Sequence, residues 1–333
     1  MKKIAVGLLA GFILAGSAFG DVVKKTKSEI TFRKFGTLTT VQEEKLTVER
    51  RAADMESTFK GKGLVGSLAG KALLRSGKFG EIVDLPQSSV INIDHKKKRY
   101  EVRPIEPPAK PSGAEESRPG REEQAGESDV KIIRSEFKVE KTGETRTINQ
   151  FNCRKYLITW VTDWENTKTG AKGTESLTTD VWTTELTPEL AADRKVETAF
   201  FLGYMKKMGL DRDVAANDYL GLAWIEILGS LDPAGGKPRL STSKAAAELK
   251  KIQGFPVVVD GKYFSKSEGG PAAEEEESSG GLLGRLSKKV LDRKPKDEGE
   301  TPVLAYYTEL MEIRTVDLAA EDFEPPAGYK EKK

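Results

Sequence analysis

Apolar residues open the chain as one run, Ile4 to Ala15, behind Lys2 and Lys3 and ahead of the small-residue ending Ala18-Phe19-Gly20. A positive start, a short apolar core and small residues at the end make a cleavable secretory signal, and the run is shorter than the roughly 20 residues a bilayer span needs. Residues 1–20 are therefore expected to be removed. The mature chain, residues 21–333, would begin at Asp21 and work in the periplasm, and the same signal also serves secretion from the cell.

Beyond the signal the pattern turns to alternation. Glu29 to Phe35, Leu38 to Arg50, Gly80 to Leu85 and Ser89 to Val102 read as strands, the last folded about a charged turn at Asp94 to Lys98 with Val90, Ile93, Tyr100 and Val102 inward. Val130 to Val139, Thr145 to Ile148, Lys155 to Trp164 and Thr174 to Thr184 continue the series. Thr187 with Pro188 and Glu189 behind it is a helix start, and Val196, Phe200, Phe201, Met205 and Met208 give that helix its apolar face. A second helical stretch follows from Asp211 or Asp213 toward Leu228, and Ser243 opens a shorter one ending near Gly254. Phe255 to Phe264 and Pro302 to Val316 are the last strands. The pattern predicts an α+β fold: a large antiparallel sheet with helices inserted between its strands.

Two stretches break the pattern. Residues 104–129 carry Pro, Gly and charge with almost no apolar residue after Ile105, and are expected to be a disordered linker. Residues 265–301 are expected to be a flexible insertion around one short helix. A gapless repeat links the loops: Gly63 to Arg75 aligns with Gly281 to Arg293, with Leu64, Val65, Leu68 and Ala72 matching Leu282, Leu283, Leu286 and Val290 at helical spacing. Such segments serve as short core-closing helices, as lids, or as helices that touch a membrane surface.

Composition narrows the chemistry. The signal holds two of the 54 basic residues and none of the 52 acids, so the mature chain has 52 of each and no nucleic-acid footprint. The single cysteine, Cys153, allows no internal disulfide and lies too far from the cut for a lipid anchor. One histidine, His95, in the charged turn, and one cysteine do not make a zinc site. Ser241 to Lys244 and the Lys-Thr-Gly triplets at 141–143 and 168–170 stand in the wrong order for a penicillin-binding enzyme and fit a helix start and two hairpin turns. No cofactor, metal or catalytic group is indicated, and the chain reads as a non-enzyme.

Three stretches together carry a resemblance: Ile82-Val83-Asp84-Leu85 through Tyr100, Ile148 to Tyr156 (INQFNCRKY), and Phe323-Glu324-Pro325-Pro326-Ala327-Gly328-Tyr329. Gly254-Phe255-Pro256-Val257 and Trp182 add to it. The set resembles an uncharacterised secreted bacterial family with a domain of the outer-membrane lipoprotein carrier (LolA-like) type, with Gln150 where that family carries glycine. The resemblance implies a single domain built as a curved antiparallel half-barrel whose concave face is covered by helices. By analogy it implies an apolar groove for a lipid, lipoprotein or other amphiphile. Groove or lid residues would then be Leu64, Val65, Leu68, Ala72, Phe200, Phe201, Leu282, Leu283, Leu286 and Val290. The competing expectation is an envelope scaffold or partner-binding protein with a fully packed core. Trp160, Trp164, Trp182, Trp224, Tyr306 and Tyr307 serve either one, as core filling or as cavity wall.

Overall fold

A computed structural model describes residues 20–63, 76–107, 129–209, 242–268 and 301–332. Among these described residues, eleven strands precede a two-residue twelfth. They are β1 (Asp21–Phe32), β2 (Gly36–Leu46), β3 (Arg50–Gly61), β4 (Gly77–Asp84), β5 (Ser89–Asp94), β6 (Arg99–Pro104), β7 (Val130–Ile148), β8 (Phe151–Asn166), β9 (Lys172–Thr184), β10 (Phe255–Glu268), β11 (Leu304–Val316) and β12 (Lys330–Glu331). They form one sheet in the order β12-β6-β5-β4-β3-β2-β1-β11-β10-β9-β8-β7. Every pairing is antiparallel except β12 on β6. The large antiparallel sheet expected from the alternation is therefore present.

Two described helices, α1 (Pro188–Lys207) and α2 (Thr242–Leu249), sit between β9 and β10 in the chain. Thr187 caps α1 as its sequence announces: its side chain accepts the Leu190 amide, and Pro188 takes a first-turn position whose amide no helix needs. The helix packs across β1 and β11, while α2 packs on β7. Leu190 joins Val22, Phe255 and Ile313 at one end of α1, and Val196 and Phe200 join Leu46, Val83 and Leu85 toward the other. Beneath α2, Ile252 closes on Tyr156, Ile158 and Val181.

Strand residues alternate between faces, so Ile82, next to Val83, points away from α1. There it meets Ile93 and Phe323, which the tail after β11 brings across the sheet. The tail is fastened along its course. The Asp21 carboxylate accepts the Leu318 amide, Lys45 pairs with Asp322, and β12 adds to β6.

Several expectations shift. The sheet begins at Asp21, eight positions before Glu29, and Arg33 to Phe35 form a turn, so β1 is longer than its lysine-rich start suggested. Strand β3, whose charges hide its alternation, had no sequence signal. Val102 does not point inward: it is 43% exposed, and Val90 and Ile93 belong to clusters on opposite faces. The Lys141-Thr142-Gly143 triplet is not a hairpin turn. It forms an irregularity inside one continuous strand β7, with Gly143 at φ 82°, whereas the triplet ending at Gly170 does occupy the β8–β9 turn. Ser265 to Glu268 belong to β10, paired with Lys172 to Glu175 of β9, and not to the insertion. α2 starts at Thr242, which places Ser243 within its first turn. The linker from Pro108 to Ser128 and the helical stretch from Asp211 toward Leu228 lie outside the described residues.

Candidate functional site

The seam between α1 and the sheet is apolar at both ends and ionic in the middle. Lys24 of β1, with 11% of its side chain exposed, lies 3.3 Å from Glu44 of β2, 3.2 Å from Asp193 and 3.1 Å from Glu197 of α1. Arg51 of β3 bonds Glu44 from the far side and reaches Glu81 of β4 at 3.5 Å. Asp193 and Glu197 stand one turn apart, so both reach the same lysine. Burial alone would drive Lys24 to lose its proton, but Glu44, Glu197 and Asp193 overcome it and hold the ammonium well above its ordinary pKa. Burial raises Asp193 and Glu197 above the usual carboxylate range, while Lys24 and Arg51 outweigh burial at Glu44 and hold it below. An amine locked as a cation among three carboxylates has no free electron pair, so this cluster fastens a helix and offers no nucleophile.

A second polar constellation lies on the opposite face. His95 Nε2 lies 2.8 Å from the Asp54 carboxylate and Nδ1 lies 3.1 Å from the Tyr329 hydroxyl, whose ring meets the imidazole edge-on at 5.7 Å. A Cβ on Gly80 would stand 2.9 Å from the Asp54 oxygen and 3.1 Å from His95 Nε2, so the bare glycine leaves room for the pair. His95 was expected to be a solvated turn residue; it is instead a bridge from β3 to the C-terminal tail, with 19% of its side chain exposed. Cys153 is buried on β8 in the cluster beneath Leu190, and burial pushes its thiol up, away from the reactive thiolate. Cys153 lies on β8 and His95 in the β5–β6 turn, each with its own partners, and they form no nucleophile pair.

Surface clefts among the described residues open on the sheet. One, about 340 Å³, lies between Lys27, Glu29, Asp260 and Tyr307, whose hydroxyl is pushed up to about 12 by burial and by its bond to Glu309. Another, about 410 Å³, lies at the start of α1 between Gln150, Phe151, Glu189, Ile313 and Arg314. Charged and polar side chains surround the first, whereas Phe151 and Ile313 give the second an apolar share at least as large as its polar one. No group of three or more His, Cys, Asp or Glu among the described residues could hold a metal ion, and no described helix is long and apolar enough to cross a membrane.

Of the groove residues read from the sequence, Phe200 is 7% exposed and packed against the sheet, while its neighbour Phe201 is 42% exposed on the outer side of α1. Leu64, Val65, Leu68, Ala72, Leu282, Leu283, Leu286 and Val290 lie outside the described residues. Trp182 is buried under the Arg146 guanidinium at 4.0 Å. The Lys24 cluster was missed, although α1 carried a signal: Asp193 and Glu197 interrupt the stripe Leu190, Val196, Phe200 at helical spacing. Acids within an apolar stripe ask for a buried cation.

No family model matches the chain, and neither a curated protein nor a solved structure is significantly similar to it. The function is argued from its own residues.

Proposed function

We propose that the mature chain is an exported, non-enzymatic protein of the bacterial envelope that binds a lipid, lipoprotein or other amphiphile on the helix-bearing face of its sheet. One observation supports this most. The chain leaves the sheet at Gly63 and Glu268 and returns at Ser76 and Thr301, all at the end marked by the β1–β2 turn. Lys62 donates to the Phe35 carbonyl, Arg33 donates to the carbonyls of Val303 and Thr301, and Ser76 accepts the Phe59 amide. The described residues that flank the two related amphipathic sequences thus lie at one end of the sheet, as a pair of covers over a shared ligand would require. That β1 begins at Asp21 agrees with cleavage after Gly20. N-terminal sequencing of envelope material is expected to start at Asp21, and a product retaining Met1 would remove the export reading.

The charged residues around the first cleft and the ion-locked α1 favour a second reading, a packed envelope scaffold that binds a protein partner. Native mass spectrometry of protein purified from its own envelope separates the two. Carriage predicts co-purified lipid that is lost on delipidation, and a bare polypeptide mass leaves the scaffold.

A further inference from the structure

Strand β7 carries charge at alternate positions: Arg134, Glu136, Lys138 and Glu140, all exposed. Arg134 reaches Glu136 at 2.6 Å and Lys138 reaches Glu140 at 2.6 Å, as side chains on one face of a strand do. An irregularity bounds this stretch at each end, at Ile133 before it and between Lys141 and Thr145 after it. Among the described residues only β8 pairs with β7, so the other side of the strand is an edge of the sheet. The Val139 amide points to that edge, where it donates to Glu248 of α2 at 3.0 Å. Backbone groups alternate in direction along an antiparallel strand, so those of Ser135 and Phe137 point the same way. Such an edge is a template for a further strand.

We propose that β7 pairs antiparallel with β7 of a second copy of this chain, about a twofold axis at Phe137. Phe137 then faces its own copy and Ser135 faces Val139 of the second copy, exchanging about six main-chain hydrogen bonds in all. The even-numbered side chains meet at the closer, non-hydrogen-bonded positions, where Arg134 stands opposite Glu140 and Glu136 opposite Lys138, each twice. The next register in either direction sets Glu136 against Glu136 or Lys138 against Lys138, and a parallel, in-register pairing sets every charge against itself. Like charges directly opposite are destabilising, so charge selects one orientation and one register. Glu248 shields the edge in the single chain. It also holds Lys251 at 2.6 Å and keeps that partner when the Val139 amide passes to the Ser135 carbonyl of the second copy. A contact of one strand on one strand is small, so the dimer is weak and depends on concentration. The proposal goes beyond amphiphile carriage and the packed scaffold, because neither needs a second copy.

The test is sedimentation velocity of the full mature chain, residues 21–333, in low salt over a roughly hundredfold range of concentration. The expected result is a shift from one copy to two as concentration rises, weakened by salt. Glu136→Lys and Lys138→Glu each set like charges across the axis and should weaken dimerisation about tenfold or more. An equal mixture of the two restores opposite charges at both places and should dimerise again. Ser135→Pro deletes an edge amide that β8 does not use and should weaken the dimer as well. A chain that stays single throughout overturns the proposal and leaves the edge to an extended segment of another protein. Dimerisation undiminished by the variants, or a mixture no better than either charge variant alone, also overturns it. A lowered melting temperature in one variant does not blur the result, since mixing cannot restore a lost fold but does restore the pairing.

Discussion

Lys24 concentrates the residue-scale energetics of the fold, because three carboxylates depend on one ammonium that solvent hardly reaches. Removing one partner of a buried pair costs more than the pair contributes. Lys24→Met, which takes the shared cation from Glu44, Asp193 and Glu197 and leaves Glu44 to Arg51, is expected to lower stability by about 3 kcal/mol in denaturant unfolding. The acids should not behave alike. Asp193 is held above the usual carboxylate range by burial, so the folded chain binds that proton more tightly than the unfolded chain; its contribution grows as pH falls and is lost as pH rises through the folded pKa. Glu44 is held below that range by Lys24 and Arg51, so its contribution is present above the ordinary carboxylate pKa and lost as pH falls through its folded pKa. Unfolding curves at neutral pH and near about pH 4 should therefore show the cost of Glu44→Gln shrinking in acid and the cost of Asp193→Asn growing. Parallel trends would mean that the cluster is not partitioned this way.

At the scale of elements, the C-terminal tail behaves as a strap. Phe323 is its plug, 7% exposed against Ile82 and Ile93, and Tyr329 with His95 is its buckle. Phe323→Ala should cost about 3 kcal/mol or more by the cavity it leaves, and Tyr329→Phe about 1 kcal/mol for one hydrogen bond. Amide exchange should quicken at Lys330 to Lys332, which pair with β6 at Arg99 and Tyr100, while α1, on the other face, keeps its protection. Equal loss in α1 would show that the faces are not independent. Elements were legible where local chemistry alone decided them. Thr187-Pro188 announced α1, and Asp94 to Lys98 announced the β5–β6 turn. β3 was illegible because Ala53 is its one buried residue and charges stand on both faces, Arg51 beside Ala53 and Asp54 and Glu56 opposite, so it has register but little hydrophobic contrast. The glycine of Gly254-Phe255-Pro256 was legible as a motif but not as a cause: at φ 95° a Cβ there would lie 2.3 Å from the Thr184 carbonyl. The site was less legible than the fold, since Lys24, Glu44 and Asp193 meet only once the strand order is known.

Strand order also changes what the Pro104 to Val130 connection must do. Composition alone makes it a linker that shortens freely, but β6 and β7 lie near opposite edges of the sheet, separated by ten strand spacings or about 48 Å at roughly 4.8 Å each. The ends also differ in height. Pro104 pairs with Ser89 beside the β4–β5 turn, and Val130 pairs with Asn166 at the β8–β9 turn, which lies at the other end of the strands. The chain has 26 steps between them (130 minus 104), enough for about 90 Å fully extended, whereas half that number reaches only about 45 Å. Deleting 112–117 should leave the melting temperature unchanged. Deleting 108–121 should unfold the protein or free β7 from the sheet, even though it removes no core residue. A protease site placed within 112–117 and cut after folding should be harmless, because the cut removes the tether without shortening it. If the long deletion melts like the parent, the sheet must bring its two edges together through space, and the flat-sheet distance is the wrong measure of the molecule.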